Sequence, residues 1–465
     1  MINCNQLADE TLKKRDFLKY AGLGIGGAGL AWLLDQIKLP GTKPNPYLED
    51  NYAPVSEELF EQKLKIVGEL PRELNGLYLR NGPNPMQSVN SKKHHWFTGE
   101  GMLHGLRLEE GDALWYRNRR TGGANTHVIS HADKIYATVE AGGSPVEINS
   151  ELDPTGGRPF GGTLNTGFSA HAKLDNSTGE LHAMCYEFPR GRYQVNHVVV
   201  GDDGQVKTTR PIDLSSKTML HECAITQNYL LVFDLSVTFS PYKLVRGYFP
   251  FSWSDTHQAR IGLLNRIDQT EQIQWFNIDP CYLFHVFNAY EDDQGQVIVD
   301  ALRYERLFDD DWNGPFTEEP PLLTRWTMSL RDGTVTEEQK DELPAEFPRV
   351  HPELDGDKYR YGYCLGTGSM RQPDFGRFIK YDFINDSREI YELPTHESGA
   401  EPVFIPAINS TSEDEGYLMS FVYDKSTNGS SVQILNAQQI SKGPIAKVIL
   451  PQRVPYGFHG SWVPA

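Results

Sequence analysis

Short apolar or alternating segments separated by turns make up most of the chain. Residues 103–108 alternate, a Glu-Glu-Gly-Asp turn follows at residues 109–112, and a second apolar segment starts at Ala113. Similar turns rich in Asn, Asp and Gly lie at residues 176–179, 202–204, 293–295 and 332–333. Such turns between alternating segments predict β-hairpins. Helix-like periodicity is confined to residues 56–65 and an N-terminal arm, so the pattern predicts an all-β sandwich, barrel or propeller.

Four histidines, His171, His221, His285 and His459, sit among apolar or small residues. Their separations are 50, 64 and 174 residues, and 174 is close to three times 58. About 400 residues divided into units of about 58 predicts seven four-stranded blades, the size of an ordinary propeller. First strands of separate blades meet near one axis, so distant histidines can converge there. Four neutral imidazoles predict a nitrogen-only site for a divalent transition metal.

The remaining histidines have more polar surroundings. His94 and His95 follow two lysines and are predicted to be solvated. A structural role is predicted for a further set: His182, His197, His257, His351 and His396.

Charge and cysteine content exclude some classes of protein. The 465 residues include 44 Lys and Arg against 62 Asp and Glu, a net charge of −18. Nucleic-acid binding needs cationic contacts with phosphate, so a nucleic-acid partner is not expected. The 5 cysteines include no Cys-x-x-Cys pair, which argues against a disulfide framework or a zinc-thiolate site and predicts buried thiols.

The N-terminus, residues 1–40, is interpreted as a segment separate from the domain at residues 41–465. Basic residues at positions 13–19 precede an uncharged stretch at 20–34, the layout of an export signal. The segment resembles a twin-arginine signal in which Lys14 replaces the first arginine. No clear cleavage site follows, so an uncleaved anchor and an arm packed on the domain stay open. The resemblance implies export or membrane attachment in a bacterium, whereas a packed arm would leave the protein cytoplasmic.

Motifs along the domain resemble those of the carotenoid cleavage oxygenase family. They lie in order at residues 77–85, 96–105, 168–171, 220–226, 284–292, 401–406 and 454–462. The resemblance implies a seven-bladed β-propeller with a cap of loops and short helices over an axial ferrous iron. The implied iron ligands are His171, His221, His285 and His459.

The same resemblance implies residues around the ligands. Glutamates that hold three of the imidazoles correspond to Glu140, Glu346 and Glu401. A carboxylate that accepts the distal imidazole N–H fixes the tautomer and the orientation of the ring. Thr126 corresponds to a family residue near the open coordination side of the iron.

The implied reaction inserts both atoms of O2 across a carbon–carbon double bond of a carotenoid or apocarotenoid, giving two carbonyl products. The implied partners are therefore O2 and an apolar polyene. Two different functions stay open: cleavage of stilbene-type phenolic alkenes and a non-catalytic lipid-binding propeller. No GxGxxG motif following a strand, Walker loop or nucleophile elbow supports another cofactor chemistry.

Two further segments concern the cap. Phe239-Ser-Pro-Tyr and the stretch at residues 248–253 are interpreted as aromatic loops that form the cap, the tunnel mouth or a patch for peripheral membrane contact. Residues 119–124 join two motifs almost directly, where family members commonly carry a helix-containing segment. That difference predicts a changed substrate environment and leaves the iron ligands unaffected.

Overall fold

Seven antiparallel sheets carry nearly all of the regular structure. The computed structural model describes residues 45–86, 88–187, 193–315, 319–368 and 375–465. The N-terminal segment, with its export-signal, anchor and packed-arm interpretations, lies outside these residues. In these ranges, no helix is long and apolar enough to cross a membrane.

The first sheet joins strands from both ends of the described chain. In spatial order it contains β1 (Phe60–Gln62), β5 (Asp112–Gly122), β4 (Gly101–Glu109), β3 (Gly76–Arg80) and β32 (Gly460–Pro464). The second contains β6 (His127–His131), β7 (Lys134–Thr138) and β8 (Val146–Ile148). The third contains β9 (Lys173–Asp175), β10 (Glu180–Cys185), β11 (Gln194–Val200) and β12 (Val206–Asp213).

The next sheets follow the same plan. The fourth contains β13 (Cys223–Ile225), β14 (Tyr229–Asp234), β17 (Arg260–Asn265) and β18 (Gln274–Asn277). The fifth contains β19 (Tyr282–Glu291), β20 (Gln296–Tyr304), β21 (Leu322–Ser329) and β22 (Thr334–Gln339). The sixth contains β23 (Ala345–Arg349), β24 (Tyr361–Gly366), β25 (Arg377–Asp382) and β26 (Ser387–Glu392).

The seventh sheet includes a strand from the start of the domain. Its members are β2 (Ile66–Gly68), β31 (Pro444–Ile449), β30 (Gly429–Asn436), β29 (Gly416–Asp424), β28 (Val403–Pro406) and β27 (Glu397–Ser398). A separate ribbon pairs β15 (Val237–Phe239) with β16 (Phe251–Trp253), and helix α1 (Pro241–Val245) lies between them. Short 3-10 helices occupy Pro46–Leu48, Asp50–Tyr52, Pro159–Gly162, Pro352–Leu354 and Ile440–Lys442.

The sheets are the blades of a closed propeller. The inner strands of neighbouring blades contact each other: β9 contacts β13, β13 contacts β19, and β28 contacts β32. The ring closes in the first blade, where the C-terminal strand β32 pairs antiparallel with β3. His285 and His459 lie three blades apart, which accounts for their separation by three repeat lengths. The predicted seven-bladed propeller is confirmed.

The hairpin turns predicted from Asn, Asp and Gly are confirmed at β4–β5, β9–β10, β11–β12, β19–β20 and β21–β22. The helix-like periodicity at residues 56–65 is misleading, because this segment contains strand β1. The backbone N–H groups of Lys63 and Leu64 donate to the carbonyls of Leu114 and Ala113. Pairing with the edge of the first blade satisfies the backbone groups of this segment, and local periodicity does not reveal such pairing.

Aromatic side chains fill much of the blade interior. Trp326, Tyr78, Tyr116 and Tyr363 are almost completely buried. Four cysteines, Cys185, Cys223, Cys281 and Cys364, are buried free thiols, as the sequence predicted. Close packing of aromatic side chains restricts movement of the inner strands, so the side chains on these strands are held in defined positions.

A half-buried ion pair between Asp175 and Arg266 links the third and fourth blades. Burial alone would raise the pKa of Asp175, but hydrogen bonds from Ser177 and Arg266 lower it to about 2. The stabilisation is therefore complete above the ordinary Asp pKa of about 4, and it is lost as the pH falls towards 2. We expect Asp175→Asn to lower the free energy of unfolding by about 1 to 2 kcal/mol at pH 7, allowing for solvent screening.

Urea unfolding of the wild type and Asp175→Asn at pH 7 and pH 3 measures this effect. The difference between the two proteins should shrink at pH 3. An equal difference at both pH values would show that the carboxylate charge does not stabilise this contact.

Candidate metal centre

Four histidines from four blades converge at the centre of the propeller. One ring nitrogen of each of His171, His221, His285 and His459 lies within 4.8 Å of the others, and all four residues are buried. His171 and His221 lie two residues before the first residues of β9 and β13, His459 immediately precedes β32, and His285 belongs to β19. The Nε2 atoms of His285 and His459 are 3.1 Å apart. The structure therefore brings together the four residues that the sequence singled out.

Two of the predicted glutamates hold imidazoles at short distances. His285 Nδ1 lies 2.6 Å from Glu346 Oε2, and His459 Nδ1 lies 2.8 Å from Glu401 Oε1. Both carboxylates are buried. An imidazole that donates its Nδ1–H to a carboxylate presents a free Nε2 lone pair to the centre, the tautomer that a metal ligand requires.

The third predicted glutamate is more loosely placed. Glu140 Oε2 lies 3.7 Å from His221 Nδ1, beyond hydrogen-bond length. The Nδ1 atom of His221 is buried without a hydrogen-bond partner in the part of the chain that the structure describes, and Glu140 lies beside the hydroxyl of Tyr186. The Glu140 side chain is 16% exposed, against 2% for Glu346 and Glu401.

A fourth carboxylate was missed by the sequence analysis. Glu222 Oε2 lies 3.6 Å from His171 Nδ1, and its Oε1 lies 3.3 Å from Lys173 Nζ. The signal available in the sequence was local, since Glu222 directly follows His221 and Lys173 lies two residues after His171. Each of the four imidazoles therefore has a carboxylate on its Nδ1 side.

Burial favours the neutral form of His171, His221 and His459. Burial lowers the pKa of His171 and His221 well below the ordinary value, and the neighbouring histidines lower it further. Burial likewise lowers the pKa of His459 to about 4, although Glu401 opposes the shift. Burial alone would raise the pKa of Glu401, but Arg349 and His459 lower it far below its usual range. Neutral imidazoles beside an ionised carboxylate are ready to bind a cation.

The donor set fits a divalent transition metal. The Nε2 atom of His171 is buried without a hydrogen-bond partner among the described residues, although unsatisfied buried nitrogens are costly. A metal ion at the centre would satisfy it together with the other three nitrogens. These four histidines can hold a metal.

An apolar cavity of about 210 Å³ opens on one side of the centre. His221, His285 and His459 reach it. Its wall is built mainly from aromatic residues: Trp96, Phe97, Phe249, Phe251, Phe284 and Phe347. Thr126 also lies in this wall, where its Oγ1 donates to Asn125 Oδ1 at 3.0 Å and its carbonyl accepts from the His459 N–H at 3.2 Å.

A polar cavity of about 330 Å³ lies against the same centre. Its wall includes His171, His285 and His459, together with charged side chains from several blades. The charged residues in the wall are Lys173, Glu222, Arg349, Asp355 and Glu401. The histidines therefore border two cavities of opposite character.

His127, which the sequence analysis did not single out, also lies beside the centre. Its Nδ1 is 2.9 Å from the carbonyl of Ala170, and its Nε2 is 3.3 Å from the carbonyl of Gly460. These carbonyls belong to the residues next to His171 and His459. The ring thus lies between the backbone segments that carry two of the four histidines.

The prediction that His94 and His95 are solvated is wrong. They are 6% and 1% exposed. The His95 ring stacks on Phe249 with centroids 4.0 Å apart and accepts the N–H of Phe97. His95 is buried by apolar contacts from a part of the chain distant in sequence, which the neighbouring lysines did not reveal.

Three histidines predicted to be structural make hydrogen bonds outside the four-histidine centre. His182 and His197 bond each other at 3.0 Å, and His257 bonds Asp234 at 2.9 Å.

The two aromatic cap segments are only partly loops. Phe239 and Phe251 pair as the ends of β15 and β16, so these residues form a ribbon that carries α1. Phe249, Pro250 and Phe251 line the apolar cavity. Pairing between the two segments gives them strand structure that neither segment's pattern displays alone.

Comparison with known proteins agrees with the fold and identifies the family. The family model described as "Retinal pigment epithelial membrane protein" matches residues 52–123 and 117–464. The two matched ranges overlap at residues 117–123, which include most of the connection at residues 119–124.

Similar proteins have consistent descriptions. A carotenoid cleavage oxygenase of Mycobacterium tuberculosis is 36% identical, over 90% of this chain and 98% of its own length. A carotenoid 9,10(9',10')-cleavage dioxygenase 1 of Pisum sativum is 30% identical, over 90% of each chain.

Solved structures show the same fold. A variant of the Synechocystis apocarotenoid oxygenase has a TM-score of 0.81 at 22% identity, covering 91% of this chain and 99% of its own. The lignostilbene dioxygenase of Pseudomonas brassicacearum has a TM-score of 0.82 at 23% identity, covering 92% and 100%. On the family match, the relatives and the four-histidine centre, this chain belongs to the retinal pigment epithelial membrane protein family, together with the carotenoid cleavage oxygenases.

Proposed function

We propose that this protein is an iron(II)-dependent dioxygenase that cleaves a carbon–carbon double bond of a carotenoid or apocarotenoid with O2. The products are two carbonyl compounds. The observation that carries the proposal is a centre of four buried histidines, each facing a carboxylate, that opens on an aromatic cavity. The descriptions of the relatives from Mycobacterium and pea support the same reaction class.

The ion proposed for the centre is Fe(2+), one per chain. Iron supplies the oxygen chemistry when it is bound, and the protein supplies binding, orientation and a controlled environment. His171, His221, His285 and His459 would hold the ion. The aromatic wall excludes water from one side of the centre and presents an apolar substrate to it.

The cavity favours a polyene over a phenolic stilbene. Gripping a phenol needs free hydrogen-bonding groups, but most polar groups in the wall already bond protein atoms. Thr98 donates to the His95 carbonyl, Asn125 donates to two carbonyls, and Tyr304 donates to Glu346. The hydroxyl of Tyr186 lies beside Glu140 and interacts with its carboxylate. Exchange of that contact for a phenol hydroxyl would be needed for stilbene cleavage, the alternative substrate class.

The shortened connection at residues 119–124 lies beside one wall of the cavity. Strand β5 runs through to Gly122, and a Cβ added to Gly122 or Gly123 would meet nothing within 4 Å. Thr98 in the cavity wall is exposed, and Asn125 holds the carbonyls of Phe97 and Gly99. A cavity of about 210 Å³ is smaller than a pocket that encloses a drug-sized ligand. We therefore place the exit for the rest of a long polyene along this side.

Product analysis with three substrate classes tests the proposal. Iron-loaded protein is incubated under O2 with a carotenoid, an apocarotenal and a stilbene, and metal-free protein serves as the control. We expect aldehyde products from the first or second substrate with iron only. Cleavage of the stilbene alone would favour phenolic alkenes as the substrate class. Binding of a polyene without any aldehyde would support the non-catalytic lipid-binding propeller and overturn the proposal.

We further propose peripheral membrane contact through α1. Val245 is 87% exposed and Leu244 is 38% exposed at the end of this helix, and Arg246 follows them. Exposed apolar side chains beside a cation suit the boundary of an anionic membrane. The ribbon below α1 lines the apolar cavity, so such contact would bring a lipid-soluble substrate near the centre. The export or anchoring role of residues 13–34 stays a prediction.

Flotation with vesicles of phosphatidylcholine and phosphatidylserine measures this contact. The double variant Leu244→Asp and Val245→Asp should reduce the vesicle-bound fraction several-fold. Ile384→Asp changes a 71% exposed apolar residue on the sixth blade and should leave binding unchanged. Equal flotation of the wild type and the double variant would remove α1 from the membrane contact.

A further inference from the structure

The four carboxylates around the centre differ in what holds them. Glu346 accepts hydrogen bonds from the Tyr304 hydroxyl at 2.8 Å and the Phe347 N–H at 2.7 Å. Glu401 accepts from Arg349 at 2.9 Å and the Gly460 N–H at 2.7 Å. Each of these carboxylates is therefore fixed by two donors besides its histidine, which in turn fixes the ring.

Glu222 is fixed in the manner of Glu401, through a cation. It is 3% exposed, its Oε1 accepts the Cys223 N–H at 3.0 Å, and the same oxygen lies 3.3 Å from Lys173 Nζ. Its other oxygen is the one that faces His171 Nδ1 at 3.6 Å. One side of the carboxylate is thus anchored, and the other is directed at an imidazole of the centre.

The pair of Lys173 and Glu222 joins two blades next to two of the histidines. Lys173 begins β9 just after His171, and Glu222 lies between His221 and β13. The Cys223 thiol adds a second link, because it donates to the His171 carbonyl at 3.4 Å. The third and fourth blades are therefore tied together at the point where they present His171 and His221.

Two cations accompany the carboxylates around the centre. Lys173 Nζ lies 3.3 Å from Glu222 Oε1, and Arg349 Nη2 lies 2.9 Å from Glu401 Oε2. Both cations line the polar cavity, and the wall of the apolar cavity includes Glu140 and Glu346. Glu222 and Glu401 therefore share one arrangement, in which a carboxylate lies between a cation and an imidazole of the centre.

We propose that Glu222 is a positioning residue for His171, held in place by Lys173, so that all four imidazoles of the centre are oriented by carboxylates. The inference rests on the proposed function only in treating the four histidines as a metal site. Glu222 touches neither substrate nor metal in this assignment. It orients the His171 ring, which would bind the metal.

Titration with Co(2+) tests the assignment on the full-length protein, without any turnover measurement. A competing chelator gives the dissociation constant, and the visible absorption of bound Co(2+) reports the ligand geometry. We expect Glu222→Gln to weaken Co(2+) binding by about 10-fold or more, the range typical of outer carboxylate partners. The absorption bands should change in shape as well as in intensity, because the His171 ring is no longer fixed.

Two lysine variants keep the test decisive even if Glu222→Gln fails to fold. Lys173→Met should weaken Co(2+) binding several-fold, and the conservative Lys173→Arg should restore most of the affinity. In the Glu222→Gln background, Lys173→Met should have little further effect, because Lys173 acts through Glu222. Lys207→Met, which removes an exposed pairing with Glu180 on the same blade, is the matched control.

The outcomes separate this inference from the proposed function. Wild-type protein that does not bind Co(2+) would contradict the metal centre itself. Wild-type protein that binds Co(2+), with Glu222→Gln and Lys173→Met both within twofold of it and unchanged in spectrum, would overturn only the positioning role. A lower melting temperature of the metal-free variants, with unchanged Co(2+) affinity, would likewise show that the Lys173–Glu222 ion pair only stabilises the fold.

Discussion

Replacing His285 with alanine is expected to abolish metal binding and double-bond cleavage together. The His285 Nε2 lies 3.1 Å from the His459 Nε2, so the substitution removes one of the four nitrogen ligands. It also leaves the buried carboxylate of Glu346 without its imidazole partner. Loss of an outer partner alone costs about 10- to 100-fold in metal affinity, and loss of a ligand should exceed the upper end of that range.

Iron content after loading, together with Co(2+) titration, measures the effect of His285→Ala. His396→Ala is the matched control, because His396 is exposed and outside the centre. The control should keep wild-type iron content and turnover. Iron and turnover retained by His285→Ala would show that the ligand set is wrong.

Glu346→Gln is expected to have the next largest effect. Glu346 accepts hydrogen bonds from three donors: the His285 ring, the Phe347 N–H and the Tyr304 hydroxyl. A glutamine offers one oxygen and turns an NH2 group towards a donor, so at least one buried donor loses its partner. The negative charge that supports a bound cation also disappears. We expect metal affinity and turnover to fall by about 100-fold, the upper end of the range for such partners.

The same Co(2+) titration and turnover assays measure this prediction. Glu337→Gln is the control, since Glu337 accepts a hydrogen bond from Trp326 in the outer part of the fifth blade. A control that loses metal as strongly as Glu346→Gln would point to a general loss of stability. Unchanged affinity in Glu346→Gln would remove the carboxylate from the support of His285.

The repeat length and the four histidines were predictable because they depend on periodicity. Each of these histidines lies near the start of the inner strand of its blade, so their spacing along the chain reflects their convergence in space. Glu346 and Glu401 could be named only through the resemblance to a family, since nothing in their local sequence predicts contact with residues 61 and 58 positions away.

Further features depend on contacts that no local pattern displays. Glu222 and Lys173 belong to different blades, and each looks like an ordinary charge beside an apolar segment. His94 and His95 look solvated beside two lysines, yet Phe249 from the ribbon covers His95. Residues 56–65 have helical periodicity, yet residues 60–62 form an edge strand that pairs with β5. In each case tertiary contacts override local preference.

Cleavage in the presence of 18O2 tests the central proposal most directly. Iron-loaded protein is given a polyene, and the aldehydes are trapped by immediate borohydride reduction so that they cannot exchange oxygen with water. Mass spectrometry should find one 18O atom in each of two products, because both atoms of O2 are inserted across one double bond. Polyene recovered intact, or products whose oxygen comes from water, would contradict the assignment of this centre as an alkene-cleaving dioxygenase.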